Sequence, residues 1–143
     1  MRDNENDDET PKPMNSGELV VLAVDDDPIQ RELYGIYLAP PDVRLFTADC
    51  GEAALTLLDR ARFSAAVVDF EMPGMDGLEL VRRLRADPRF GDRPIMVVTG
   101  RDDLVSHNRA YEVGATTLLY KPVDWRKLGE KVRVMAAGHG ASA

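Results

Sequence analysis

At 143 residues the chain is long enough to bury one substantial core and too short for two, and a formal charge of -7 argues against nucleic acid or an anionic membrane surface as a partner. Its single cysteine, Cys50, excludes a disulfide framework and a thiolate metal cluster, and reads as a small buried or half-buried side chain. The longest apolar run, Leu19–Val24, is far short of a membrane span and the N-terminus lacks a basic-then-apolar leader, so a cytoplasmic protein is expected.

Residues 1–17 hold Asp3, Glu5, Asp7, Asp8 and Glu9 against Arg2 and Lys12, a charge of -3 that leaves -4 for the rest. Interrupted by Pro11 and Pro13, this stretch cannot bury enough apolar surface to offset its ordering entropy, and a disordered acidic arm is expected. Leu19–Val24 shows no polar alternation and reads as a central strand of a parallel sheet, covered on both faces. It runs into three acids, Asp25, Asp26 and Asp27. Asp27 is placed to cap a helix that begins at Pro28 and repeats Ile29, Leu33, Ile36 and Tyr37 at helical spacing until Pro40-Pro41.

Val43–Ala48 is the second strand, and a helix from 51 to about 61 turns Ala54, Leu55, Leu58 and Ala61 inward. The apolar run 65–68 then ends abruptly on Asp69. Met72-Pro73-Gly74 stops that strand, and Asp76-Gly77 opens a helix with Leu78, Val81 and Leu84 inside and Arg82, Arg83 and Arg85 on a solvated outer face. Ile95–Thr99 is the fourth strand. The helix over 103–113 has a poor apolar stripe before Gly114 and is expected to be the least firmly docked. Residues 116–120 form the fifth strand, followed by Lys121-Pro122, and Asp124 caps a last helix striped with Trp125, Leu128, Val132 and Met135. Residues 138–143 read as a frayed tail. Strict alternation of strands and helices predicts an α/β sandwich around a parallel sheet.

Asp25, Asp26, Asp69, Thr99 and Lys121 all fall at or just past the carboxyl ends of predicted strands, which in a parallel sheet share one edge. Three carboxylates gathered there repel one another unless a cation sits among them or some are protonated. An oxygen-only donor set suits a hard divalent ion, and a partial protein shell with room for water and phosphate oxygens suits Mg²⁺. A metal, an ammonium group and a hydroxyl around one carboxylate are what in-line phosphoryl transfer requires, with Asp69 as nucleophile.

Val24-Asp25-Asp26, Val68-Asp69, Met72-Pro73-Gly74-Met75-Asp76-Gly77, Val98-Thr99 and Lys121-Pro122 together resemble the response regulator receiver domains of bacterial two-component signalling, from about residue 19 to 135. The resemblance implies a flavodoxin-like, doubly wound five-stranded parallel sheet of order 2-1-3-4-5 with five helices. On it, residues 18–137 are the receiver domain, between the arm at 1–17 and the disordered tail at 138–143. It also implies phosphorylation of Asp69 by a histidine kinase or histidine phosphotransfer protein. Asp26, Asp69 and the backbone carbonyl of Glu71 would bind Mg²⁺ directly and Asp25 through water. Lys121 would pair with the phosphoryl group, Thr99 would swing in to hydrogen-bond it, and the Lys121-Pro122 bond would be cis.

The chain would thus be a phosphoacceptor that assists its own phosphorylation and dephosphorylation, not an enzyme acting on other substrates. With no output domain expected after the last helix, output would pass by phosphorelay or by protein contacts at the fourth helix, fifth strand and fifth helix. The chain would act as a monomer or a phosphorylation-dependent dimer. Two readings compete: an aspartyl-nucleophile phosphohydrolase of haloacid dehalogenase type, which needs an Asp where this chain has Glu71, and a receiver used purely for docking.

The chain departs from the family where an aromatic residue commonly lies three positions before the lysine, for it has Leu118 there; Tyr120, on the same strand face, is the candidate substitute. Glu71 and Arg101, each two residues beyond a site residue, are expected to pair across the mouth of the site and slow attack by water. His107 and His139 are poor catalytic candidates, one on the weak fourth helix and one in the tail.

Overall fold

The structure is a computed structural model that describes residues 18–141, so the expected arm at 1–17 lies outside the described residues. Strands β1 (Leu19–Val24), β2 (Val43–Ala48), β3 (Ala65–Asp69), β4 (Ile95–Thr99) and β5 (Thr117–Tyr120) alternate with helices α1 (Pro28–Tyr37), α2 (Gly51–Leu57), α3 (Gly77–Ala86), α4 (Leu104–Val113) and α5 (Trp125–Ala141). Every pairing is parallel and the strand order is β2-β1-β3-β4-β5, the doubly wound arrangement expected. The order reverses between β1 and β3, which opens a crevice beyond their carboxyl ends.

Side-chain alternation divides the sheet between two cores. Leu22, Val24, Ala66, Val68 and Val97 face α2, α3 and α4, packing with Ala54, Leu78, Val81, Leu84 and Ala110. Val21, Ala23, Val67 and Val98 face α1 and α5, packing with Tyr34, Leu38, Leu128 and Val132. All of β3 and β4 is buried. Each fully buried Val or Ile stabilises by about 1.5–3 kcal/mol, so the central strands form a stiff frame whose ends stay in register.

Helix starts follow the expected chemistry. Asp27, Asp76 and Asp103 accept hydrogen bonds from the backbone N–H groups of Ile29, Glu79 and Ser106 at 2.8–2.9 Å. Gly114 closes α4 at φ 116°, a left-handed conformation that suits glycine. Both Pro40-Pro41 and Lys121-Pro122 are cis, the second as the family resemblance implied.

Four expectations need correction. In α1 the buried side chain is Tyr34, with Leu38 buried at the C-cap just beyond, whereas Ile29 and Ile36 are 64% and 62% exposed. Two apolar stripes compete on that helix, and the one that meets Trp125 edge-on faces the sheet. Helix α2 stops at Leu57, where Leu58, Asp59 and Arg60 turn through i→i−3 bonds, instead of continuing to about residue 61. Helix α5 runs on to Ala141, past the expected boundary at residue 138. Arg85 also leaves the solvated face: its guanidinium donates to the carbonyls of Gly114 and Gly91 and ties the ends of α3 and α4 together.

Candidate functional site

Parallel register assembles the site. Val24 lies opposite Val68, so Asp25 follows beside Asp69, and Thr99 lies opposite Tyr120, so Lys121 follows at the same edge. Asp25, Asp26 and Asp69 each offer a carboxylate oxygen within 4.8 Å of the others. Lys121 Nζ donates to Asp69 Oδ1 at 3.1 Å. Asp25 is pinned by the Asp27 N–H to its Oδ1 at 2.9 Å and by Arg31 to its backbone carbonyl at 2.8 Å.

Alternation also decides which side chains meet. Asp25 and Asp69 share the strand face of Ala23 and Val67, toward α1 and α5, and Lys121 shares that of Leu119. Thr99 has the parity of Val97 and faces α4. The structure therefore brings together Asp25, Asp26, Asp69 and Lys121 but leaves Thr99 alongside, its Oγ1 accepting from the Arg101 N–H at 2.9 Å.

The electrostatics are those of carboxylates crowded in a partly buried site. Burial raises the Asp25 pKa to about 6, helped by the Asp69 and Asp26 charges and opposed by the Asp27 N–H and Lys121. Burial also raises Asp69, against the hydrogen bond and charge of Lys121. Burial works against the Lys121 ammonium, but the hydrogen bond and charge of Asp69, with Asp25 and Glu71, outweigh it and hold its pKa up. Carboxylates crowded without a matching positive charge, all hard oxygen donors, fit a divalent ion such as Mg²⁺.

At the mouth, Arg101 Nε donates to Glu71 Oε2 at 2.9 Å, the pair expected from their positions, and the Arg101 guanidinium lies 5.6 Å from the Phe70 ring centroid. Beside them is a depression of about 430 Å³ lined by Phe70, Glu71, Met72, Pro73, Asp76 and Arg101. Gly77, the first residue of α3, lies so close to the strand end that a Cβ there would overlap the Asp69 carbonyl oxygen. Met75 likewise presses on Gly51. Sequence reasoning missed three neighbours. Arg31 and Tyr34 share the inward face of α1, a signal available only once the competing stripe is discarded. His107 meets Tyr120 Oη through Nε2 at 3.0 Å.

The chain belongs to the response regulator receiver domain family, whose model matches residues 21–133. In two-component signalling such domains act as phosphoacceptors, and the family binds Mg²⁺ at an acidic cluster of this kind. The chain is 37% identical over 114 residues to the heme response regulator HssR of Staphylococcus aureus, covering 80% of itself and 50% of that relative. It thus spans about half the length of the curated relatives it matches.

Among solved structures, the chemotaxis protein CheY4 of Vibrio cholerae is 30% identical with a TM-score of 0.77, covering 82% of this chain and 98% of that one. A response regulator receiver protein of Pseudomonas putida is 33% identical with a TM-score of 0.74, covering 82% and 97%. A CheY-like receiver of Methanospirillum hungatei, 23% identical with a TM-score of 0.79 over 88% and 99%, shares the fold. No described helix is long and apolar enough to cross a membrane.

Proposed function

We propose that this chain is a response regulator in which Asp69 accepts a phosphoryl group from a histidine kinase or a histidine phosphotransfer protein in the cytoplasm. The observation that carries the reading is the meeting of Asp25, Asp26 and Asp69 with the Lys121 ammonium at one sheet edge. An Asp69 carboxylate oxygen bonds to phosphorus as the phosphorus–nitrogen bond of the donor's phosphohistidine breaks. The electron pair returns to the imidazole nitrogen, which leaves neutral when the other ring nitrogen carries a proton.

Asp26, Asp69 and the Glu71 carbonyl would hold Mg²⁺, with Asp25 acting through water. The ion supplies charge neutralisation on the phosphoryl oxygens. Lys121 would then shift from carboxylate to phosphoryl oxygen, and Thr99 would rotate its hydroxyl toward the same group. Thr99 stands opposite Tyr120 on a shared strand face, so its rotation has a direct neighbour in the Tyr120–His107 pair on α4. In this way Tyr120 takes the part left open by Leu118, and the α4–β5–α5 face carries the signal to a downstream protein or to a second copy.

Glu71 is engaged by Arg101 and is not the Asp that a phosphohydrolase carries at that position. The same pair would cover the phosphoryl group, and Glu71→Ala with Arg101→Ala should shorten the phospho-Asp69 lifetime; an unchanged lifetime ends that role. The test of the whole reading is incubation with acetyl phosphate and Mg²⁺ followed by intact mass and hydroxylamine treatment. The expected result is one hydroxylamine-labile phosphoryl adduct, lost in Asp69→Asn. No adduct on the wild-type protein would leave a docking module.

A further inference from the structure

Tyr34 is buried to 1% exposure, and its hydroxyl makes no hydrogen bond with any described residue. Roughly 90% or more of buried polar groups are paired with protein or ordered water, so a hydroxyl with no described protein partner calls for a water. Its position indicates what lies within reach. Side chains on a helix lean toward the helix N-terminus, and α1 begins at the acidic cluster, so the Tyr34 phenol leans toward Asp25. One turn nearer that end, Arg31 already bonds the Asp25 carbonyl. The ring packs in the core that Ala23 and Val67 line, the strand face that Asp25 and Asp69 share. Trp125 fixes the ring from the side, edge-on at 4.9 Å between centroids. The negative charges of Asp25 and Asp69 reach the phenol, adding to the burial that keeps it protonated and so a donor.

We propose that the Tyr34 hydroxyl is a buried positioning group for the phosphoacceptor site, donating from beneath through a water to the Asp25 carboxylate. The proposal rests on the phosphoacceptor reading and deepens it. A hydroxyl donor on the α1 side of Asp25 fixes the orientation of its carboxylate toward the cluster it forms with Asp26 and Asp69. Phosphoryl transfer then depends on Tyr34 through the position of Asp25, without contact between Tyr34 and the reacting atoms. Helix α1 and the edge-on contact with Trp125 set that position.

The test is Tyr34→Phe, which keeps the ring against Trp125 and removes only the hydroxyl. Mg²⁺ affinity is read by calorimetry and by the fluorescence of Trp125, and melting is followed with EDTA and with Mg²⁺. The expected result is about tenfold weaker Mg²⁺ binding, the usual effect of losing a hydrogen-bond partner of a metal-site residue. The EDTA melting temperature should be unchanged or slightly lower, and the stabilisation by Mg²⁺ smaller than in wild type. Equal Mg²⁺ affinity in the two proteins overturns the proposal, as does a lower melting temperature in EDTA with affinity unchanged, which marks a purely structural tyrosine.

A measurement on the wild type needs no variant. With tyrosine labelled at the ring carbon that bears oxygen, a slowly exchanging Tyr34 hydroxyl proton should be seen in the Mg²⁺-loaded protein, and free exchange there overturns the proposal. Wild-type protein that neither binds Mg²⁺ nor is labelled at Asp69 defeats the phosphoacceptor reading itself, an outcome separate from both.

Discussion

The seam between α1 and α5 and the docking of α4 lie on opposite faces of one sheet and are built to opposite standards. At the seam Trp125 meets Tyr34 edge-on and stacks on Tyr37 at 6.1 Å, and a Cβ on Gly129 would come within 2.9 Å of the Tyr37 carbonyl oxygen. Arg133 donates to Asp42 at 2.7 Å and to the same carbonyl at 2.9 Å. Helix α4 buries only Ser106 and Ala110, while Leu104, Val105 and Tyr111 are half exposed or more. Its lateral tie to β5 is the Tyr120–His107 contact. The first region packs on the sheet face that Asp25, Asp69 and Lys121 share, whereas the second is held by few buried contacts. Local opening free energies follow buried contacts, so the amides of α4 should exchange with solvent well before those of α5.

The sharpest way to break this contrast is Trp125→Ala. It removes both ring contacts at once and, Trp125 being half-buried, should destabilise the fold by about 2–3 kcal/mol, somewhat less than a fully buried ring, measured by urea unfolding. A loss no larger than that of an exposed α4 substitution would remove the distinction between the two regions.

An effect of similar size concerns the acidic cluster above the seam. Because Asp25 binds its proton more tightly folded, at about 6, than unfolded, at 3.8, the folded state holds the extra proton across that window. Stability in EDTA should therefore fall as pH rises from about 4 to 6, by roughly 2–3 kcal/mol from this group. Asp25→Asn should flatten that slope and raise the melting temperature at neutral pH, and saturating Mg²⁺ should act in the same direction on the wild type. A wild-type slope that persists in the variant would assign the proton elsewhere.

On the looser side, Tyr120→Phe removes one exposed hydrogen bond and should cost about 0.5–1.5 kcal/mol at most. Its signature should be local: faster hydrogen exchange in α4, with α1 and α5 unchanged. Smallest of all, Leu104→Ala on a side chain 70% exposed should alter stability by less than about 0.5 kcal/mol. A larger loss would mean that α4 is more firmly packed than its burial indicates.

The same contrast explains what could be read from sequence. Unbroken runs such as Leu19–Val24 and Ile95–Thr99 announce buried parallel strands, and their common edge gathers Asp25, Asp69 and Lys121. That much of the site needs only strand ends and register. The weak docking of α4 was legible too, because the absence of an apolar stripe is itself a pattern. What escaped were features decided by tertiary partners. The choice of Tyr34 over Ile29 on α1 depends on a ring from α5 more than 90 residues away. Arg85 looked like one more surface charge until the carbonyls of Gly91 and Gly114 converged on it. Phe63 and Phe90 are core residues in connecting segments, where no period marks burial.

The tight seat of Gly77 against the Asp69 carbonyl has a consequence for how information can leave this molecule. With helix and strand backbones wedged together there, the Asp69 peptide has no room to recoil, so on the proposed phosphoacceptor reading a message would begin as a side-chain rotation and grow outward along β4 and β5. A methyl group at position 77 would pry that joint open and blur the zero point from which the rotation is counted.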